Sequence, residues 1–339
     1  MELQELTEFY QFNSTHVDLK IYSKLNKEGF VYIRKHPDSP LILLNYTPRT
    51  QYKKRWCREL IHARGLVVGL DGEIFARPLP KFFNHYEIIG ELPCKDFVVY
   101  DKMDGSLVIM FHYKNKRIFC TRGSFTSEQA RRAENIFERK YKDIEVKMEC
   151  TYCFEVIYPQ NKIVVDYENI EDLFLISITH TSTGREINTE GSGFKTVHRI
   201  LEYKSIEDMM NIDVSNKEGF VVKFNTGIRI KIKFKTYIAY HKGKTFSFDS
   251  IKQTMKKMKK VDIDNIPDEC FTEVNLIITE IEEEFSCVKQ KLEKEYKYIL
   301  EDSKTPRDIV EAIKKSQYAS ILFLLHAGKE YDKLIWKIL

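Results

Sequence analysis

An α+β domain built on antiparallel sheets, followed by a small all-helical domain, is what this sequence predicts. Three observations lead there. From about Phe30 to Lys235, short apolar runs rich in Val, Ile, Tyr and Phe recur between turn signals, which favours antiparallel strands. One stretch within that region has helical spacing behind a capping hydroxyl. After about Lys244 the strand signal fades, and apolar residues return at helical spacing amid alternating charges.

In chain order the strand candidates are VYIRK, LILLNY, GLVVGL, FVVYDK, LVIMFHY, RIFCTR, YCFEVIY, LFLISIT, FVVKF and RIKIKF. Asp71-Gly72, Asp104-Gly105, Asn115 and Asn225-Thr226-Gly227 sit between such runs as turn formers. On that basis VVYDKMDGSLVIM, residues 98 to 110, reads as two strands joined by a turn. Residues 127 to 137 read as a helix capped by Ser127. In the C-terminal part, Leu276, Ile277, Ile281, Phe285, Val288 and Leu292 mark a helix. Thr305-Pro306-Arg307-Asp308 starts another, with a hydroxyl cap, a proline and an acid in its first turn. The boundary falls between Lys235 and Lys260, giving domains of residues 1–244 and 245–339.

A chain of 339 residues exceeds the usual size of a single core, and 43% apolar residues supply ample buried material. The opening MELQELTEFYQ lacks the basic and apolar regions of a secretion signal, and nowhere do about eighteen uncharged apolar residues run together. Seven cysteines without regular spacing argue for a reducing compartment. A cytoplasmic or nuclear, non-secreted, monomeric protein is expected. The formal charge is +4, and the basic excess lies in residues 1–244, which suits an anionic substrate if the lysines converge.

Lys102-Met103-Asp104-Gly105 has two readings. One is a solvated lysine at a hairpin; the other is an amine nucleophile that attacks the α-phosphate of a nucleotide. A free lysine titrates near 10.4, so keeping the amine neutral near pH 7.5 takes roughly 3 to 4 kcal/mol from burial or nearby cations. Lys231-Ile232-Lys233 offers such cations, since strand geometry puts both ammonium groups on one face and Ile230, Ile232 and Phe234 on the other. A solvated edge strand would show the same pattern. Glu218, just before Gly219 and an apolar strand, suits either a turn or a Mg²⁺ ligand completed by phosphate oxygens. Glu155, inside TYCFEVIY, is a carboxylate among buried residues and needs a polar partner.

Other matches carry less. Gly243-Lys244-Thr245 lacks the upstream glycine of a phosphate loop. Cys150 and Cys153 have zinc-like spacing but no second pair. The run Lys256-Lys257-Met258-Lys259-Lys260 fits a solvated helix face or a contact with RNA phosphate.

Taken together and in order, KMDGS (102 to 106), TRGS (121 to 124), FE (154 to 155), EGFVVKF (218 to 224) and KIK (231 to 233) resemble the motif series of the covalent nucleotidyltransferases. LNYTPRTQYKKRWCRELIHARGLVV, RPLPKFFNHYE and FEVIYPQNKIVV narrow the resemblance to the bacteriophage RNA ligase 1 family and the ligase domain of fungal tRNA ligases. The likeness covers roughly residues 40 to 245.

That resemblance implies a nucleotidyltransferase domain of the ATP-grasp-like ligase type, using ATP as AMP donor with Mg²⁺ or Mn²⁺. It implies Lys102 as the adenylylated residue, Glu155 as a ribose-binding carboxylate, Glu218 at the metal, and Lys231 and Lys233 on the α-phosphate. Tyr46, Arg64, Lys81, Phe83, Gly105 and Arg122 match positions lining the nucleotide or its phosphates. The spacing from Tyr46 to Arg64 differs from the phage enzyme's, and family members carry Lys or Arg at the Arg122 position. The activity expected is RNA ligation through lysyl-AMP and an adenylylated RNA 5′-phosphate, in RNA or tRNA repair. The C-terminal helices would contact RNA or tRNA, and an end-healing kinase or phosphatase would reside on another polypeptide. The alternatives are a capping or DNA-joining enzyme, and a non-catalytic RNA-binding protein on this fold.

Overall fold

The structure is a computed structural model that describes residues 1–93, 96–245, 247–257, 261 and 270–339, with only the backbone of residues 241–245, 271 and 272. The chain divides into two units, Met1–Tyr240 and His241–Leu339.

In the first unit, β1 (Val31–Lys35), β2 (Leu41–Tyr46), β3 (Arg64–Gly69) and β4 (Ile74–Ala76) form an antiparallel sheet in that order. It follows α1 (Leu3–Tyr10) and α2 (Leu19–Lys27), and the β2–β3 connection carries α3 (Pro48–Tyr52) and α4 (Arg58–His62). Continuous apolar strands here mean that both faces are covered. Leu44, Leu66 and Val68 pack on Tyr22 and Leu25 of α2 and Leu60 of α4, while Leu41, Leu43 and Val67 meet Ile109, Phe111 and Cys153 of a second sheet.

That second sheet has the order β11 (Glu186–Ile187), β10 (Asp172–His180), β9 (Cys150–Ile157), β7 (Ser106–Tyr113), β8 (Lys116–Thr121). Its outer face is covered by α5 (Glu128–Lys140), whose Ser127 hydroxyl accepts from the Ala130 N–H at 3.2 Å as the cap motif requires. Ala130, Ala133, Ile136 and Phe137 of α5 pack on Val108, Met110, Tyr152 and Phe154. Burial of Phe137 alone contributes about 2 kcal/mol or more. Lys114 and Asn115, at φ 46° and 60°, make the tight turn between β7 and β8.

The third sheet runs β12 (Arg199–Ile200), β6 (Phe97–Lys102), β13 (Gly219–Phe224), β14 (Arg229–Lys233), β5 (Phe83–Asn84). β14 and β5 are parallel and its other pairings antiparallel. Val99, Phe220, Val222, Ile230, Ile232 and Phe234 turn one face into a core, closed by Leu6 of α1, Ile61 of α4, and Ile206 and Met209 of α6 (Ile206–Met210). The opposite face carries Tyr100, Lys102, Lys223, Arg229, Lys231 and Lys233 besides Val98 and Val221. The unit ends within α7 (Lys235–Thr245).

The stretch from 98 to 110 is therefore not a hairpin. Its first strand, β6, lies in the third sheet and its second, β7, in the second, so residues 103 to 105 cross between sheets. Neither Asp104 nor Gly105 has the positive φ of a tight hairpin turn.

Arg77 rivets the N-terminal segment to the second sheet. Its buried guanidinium donates to the carbonyls of Phe12 and Ser14, and to Thr181 at 2.8 Å and Ser182 at 3.3 Å.

The second unit contains α8 (Phe248–Lys256), α9 (Phe271–Asp302), α10 (Pro306–Lys315), α11 (Ala319–His326) and α12 (Asp332–Ile338). Ile251, Val274 and Ile281 form one cluster, and Leu292, Ile313, Ile321, Leu322 and Ile335 another. Thr305 caps α10 in a reciprocal box with Asp308, as its sequence foretold. Leu276 departs from expectation: it is 66% exposed, because it falls one residue off the stripe that Ile277 and Ile281 occupy. Lys256 and Lys257 of the basic run are described, whereas residues 258 to 260 lie outside the described residues.

Candidate active site

Residues paired across a sheet share a face. Gly219 pairs with Lys102 on one side and Lys233 on the other, so both lysines stand on the polar face of the third sheet, with Lys231 two residues further along β14. Glu218, immediately before β13, lies between them. Its Oε1 is 2.6 Å from Lys102 Nζ and 3.6 Å from Lys233 Nζ. Gly219 makes this approach possible. It sits at φ +148°, and a Cβ there would lie 2.1 Å from the Ile232 carbonyl oxygen. β14 is an interior strand and the Lys233 side chain is 8% exposed, so the solvated-edge reading of Lys-Ile-Lys does not hold.

Lys102 is thus ion-paired with a carboxylate that it shares with the Lys233 ammonium. The other carboxylate oxygen, Glu218 Oε2, is buried and accepts no hydrogen bond among the described residues. An unpartnered anionic oxygen beside two ammonium groups fits a divalent cation. Among the described residues no group of three or more His, Cys, Asp or Glu could hold a metal ion. An ion here would take Glu218 and complete its shell with substrate oxygens.

Glu155 belongs to the same centre from the other sheet. Along β9 the even positions Tyr152, Phe154 and Val156 pack with α5, so Thr151, Cys153 and Glu155 face the opposite way. Glu155 Oε1 accepts the Gly105 N–H at 3.1 Å. Desolvation pushes its carboxyl up to about 7; the Lys102 charge opposes that rise and Glu218 reinforces it. Gly105 must be glycine because β9 fills the space beside it: a Cβ would lie 2.5 Å from Ile157 and 2.6 Å from the Val156 carbonyl oxygen. Its small size therefore serves sheet packing, besides any close approach of a nucleotide.

The remaining candidates form a connected cationic and aromatic wall. The Arg64 and Lys231 cations lie 5.4 and 5.2 Å from the Phe82 ring. Gly65, at φ +88°, lets β3 pass so close that a Cβ would be 2.9 Å from Arg122 Cα. Arg122 in turn donates to the Tyr46 hydroxyl at 3.1 Å. Lys81 is buried among Tyr46, Trp56 and Phe83, with its ammonium 5.3 to 5.7 Å from each ring, and it donates to Gln51 at 3.3 Å. Phe83 pairs with Ile230 on the core face while its ring lies 5.3 Å from the Lys81 ammonium, and Phe82 is the ring beside Arg64 and Lys231.

Asp104, read from sequence only as a turn residue, is a buried anchor. Its Oδ2 accepts the N–H groups of Val164 at 2.9 Å and Val165 at 2.8 Å, and its Oδ1 accepts the Tyr237 hydroxyl at 2.7 Å. The Asp104 N–H donates to the Tyr167 hydroxyl at 2.8 Å. These bonds fix the crossing that follows Lys102, and Tyr237 also lies under the Lys233 ammonium at 5.8 Å. Trp56, Phe82, Asp104 and Tyr237 are the residues that sequence reasoning missed. The one available signal was the density of aromatic and charged residues around 52 to 58 and 81 to 86.

Cys150 and Cys153 face opposite sides of β9, one packed with α5 and the other with the first sheet, so they cannot share a zinc ion.

A family model described as RNA ligase matches residues 62–248. A protein of Autographa californica nuclear polyhedrosis virus, named as a bifunctional polynucleotide kinase/RNA ligase, is 24% identical over 250 residues, which is 63% of this chain and 35% of that protein. This chain therefore spans about a third of the length of that relative. Among solved structures, an RNA ligase of Naegleria gruberi with PPi is similar at 19% identity and a TM-score of 0.32, over 43% of this chain and 51% of that one. A protein of Aquifex aeolicus named as an ATP-dependent DNA ligase aligns over 93% of this chain and all of that one, at 14% identity and a TM-score of 0.45.

Proposed function

This chain belongs to the RNA ligase family, and from that premise we propose that it is an ATP-dependent RNA ligase whose nucleophile is Lys102. The observation that carries the reading is the convergence of Lys102, Glu218 and Lys233 at one end of the third sheet, with a Glu218 oxygen left unpartnered.

Three nucleotidyl transfers compose the reaction. The Lys102 amine, having lost a proton, forms a bond to the α-phosphorus of ATP while the bond to pyrophosphate breaks. An RNA 5′-phosphate oxygen then displaces the lysine nitrogen from that phosphorus. Finally a 3′-hydroxyl attacks the activated 5′-phosphate, the phosphodiester forms and AMP leaves. Mg²⁺ or Mn²⁺ held by Glu218 would supply positive charge beside the reacting phosphate. Glu218, if it held that cation, would no longer neutralise Lys102. Lys233 and Lys231 would stabilise charge developing on the phosphate oxygens. Glu155, fixed by the Gly105 N–H, is the carboxylate for the ribose hydroxyls, and Arg64, Arg122, Lys81 and Tyr46 form the outer phosphate wall.

The RNA carries a 5′-phosphate and a 3′-hydroxyl. Repair of broken RNA, tRNA included, is the proposed context, in the cytoplasm or nucleus, with end-healing supplied by a separate kinase or phosphatase. Residues 245–339 would contribute RNA contacts.

Incubation with α-labelled ATP and Mg²⁺ tests the reading. Label should enter the wild-type chain and not Lys102→Ala, and α-labelled GTP should not replace ATP. Equal labelling of the alanine variant would remove Lys102 from this role.

A further inference from the structure

We propose that the arch of residues 47–58, between β2 and β3, is the docking surface for the RNA strand that receives the adenylate. The assignment rests on the ligase reading and adds to it a surface for the second substrate. The arch reads Thr-Pro-Arg-Thr-Gln-Tyr-Lys-Lys-Arg-Trp-Cys-Arg and contains no acid. Arg49, Tyr52, Lys53, Lys54, Arg55 and Arg58 are exposed.

Both feet of the arch stand in the candidate site. It leaves from Tyr46, which contacts Arg122 and Lys81, and returns at Trp56, whose ring meets Tyr46 at 5.1 Å and Phe83 at 5.3 Å. Midway, Gln51 accepts from Lys81. Lys53 is two residues beyond Gln51, so its Cα lies no more than about 7.6 Å from the Gln51 Cα. The crest is held in one shape: Lys54 takes φ 49°, and the Lys54 and Arg55 N–H groups bond back to Gln51 and Thr50 at 3.0 Å each. Arg55 is partly engaged by Glu28 at 3.4 Å, whereas among the described residues no acid pairs with Lys53 or Lys54.

A fixed crest that combines cations with an exposed aromatic ring suits single-stranded RNA. Cations track the phosphates, and Tyr52, 51% exposed, offers a face on which a base stacks. A strand lying there would present its terminal phosphate toward Lys81 and Arg122.

The test compares wild type, Lys53→Ala/Lys54→Ala and Tyr52→Ala in two assays. One is lysyl-AMP formation without RNA. The other is fluorescence anisotropy with a short 5′-phosphorylated single-stranded RNA at several salt concentrations. The expected result is unchanged lysyl-AMP formation in both variants with about tenfold weaker RNA binding. The double variant should also lose about 1.4 from the slope of log affinity against log salt. Wild-type affinity and slope would overturn the assignment. So would loss of lysyl-AMP formation in both variants, which would place the crest in nucleotide chemistry. If the wild-type chain itself takes no label yet binds RNA through the crest, the ligase reading fails and the docking surface stands.

Discussion

The Tyr237 hydroxyl donates to Asp104 Oδ1 at 2.7 Å, linking the residue two beyond the candidate nucleophile to one four beyond Lys233. Both side chains are buried, and the bond joins the segment after β6 to the helix after β14. It closes a ring of structure around Lys102, Glu218 and Lys233. Tyr237→Phe removes one hydrogen bond to a buried carboxylate, worth about 1.5–3 kcal/mol. The expected outcome is a lower melting temperature together with slower lysyl-AMP formation. A variant as stable as wild type would show that the bond is not holding the segment.

Glu218→Gln keeps the shape of the side chain and removes its charge. Lys102 loses its ion-pair partner and the orphaned oxygen loses its affinity for a cation. Lysyl-AMP formation should fall by about a hundredfold or more, and the Mg²⁺ concentration for half-maximal rate should rise. Lys233→Ala should slow the same step by a similar factor, without the shift in Mg²⁺ dependence. An unchanged rate in either variant would discredit the shared site.

Glu155 makes stability depend on pH in a direction unusual for a carboxylate. Its group titrates near 7 in the folded chain, above the ordinary 4.5, because burial penalises the charged form. Below pH 4.5 it is neutral folded or unfolded, and its contribution is fully present. As pH rises through 7 the desolvated charge appears in the folded state and that contribution is lost. Glu155→Gln should therefore gain in melting temperature relative to wild type between pH 5 and 8, checked by calorimetry across that range.

Gly219→Ala places a methyl against the Ile232 carbonyl in a backbone conformation that alanine rarely adopts. A loss of about 2 kcal/mol or more is expected. Because β13 must shift to relieve the clash, Glu218 moves relative to both lysines, and lysyl-AMP formation should suffer more than the fold. Urea denaturation and labelling of the same preparation separate the two effects.

Much of the site was legible because strands keep a period of two. Lys231 and Lys233 had to share a face, and Glu155, a carboxylate amid apolar strand residues, had to find a polar partner. Caps such as Ser127 and Thr305 were equally readable, being local. The crossing at residues 103 to 105 was not. Asp-Gly between two apolar runs carries the local signature of a hairpin, and only tertiary pairing sends β6 and β7 to different sheets. Trp56 and Phe82 were hidden for the same reason: their importance comes from tertiary contacts, Trp56 with Lys81 and Phe83, Phe82 with Arg64 and Lys231, which no spacing rule encodes. The sequence could not show that Glu218 would stand between Lys102 and the Lys233 ammonium, sharing one oxygen with both.

The passage from β6 to β7 has a mechanical consequence. The proposed nucleophile hangs from one sheet and the carboxylate proposed for the ribose from its neighbour, so a nucleotide bound as proposed would staple two layers that are otherwise stitched here by three residues. Binding and cohesion then become one property: whatever tightens ATP in this cleft also clamps the halves together, and whatever loosens the seam is felt first as slackened grip on the nucleotide.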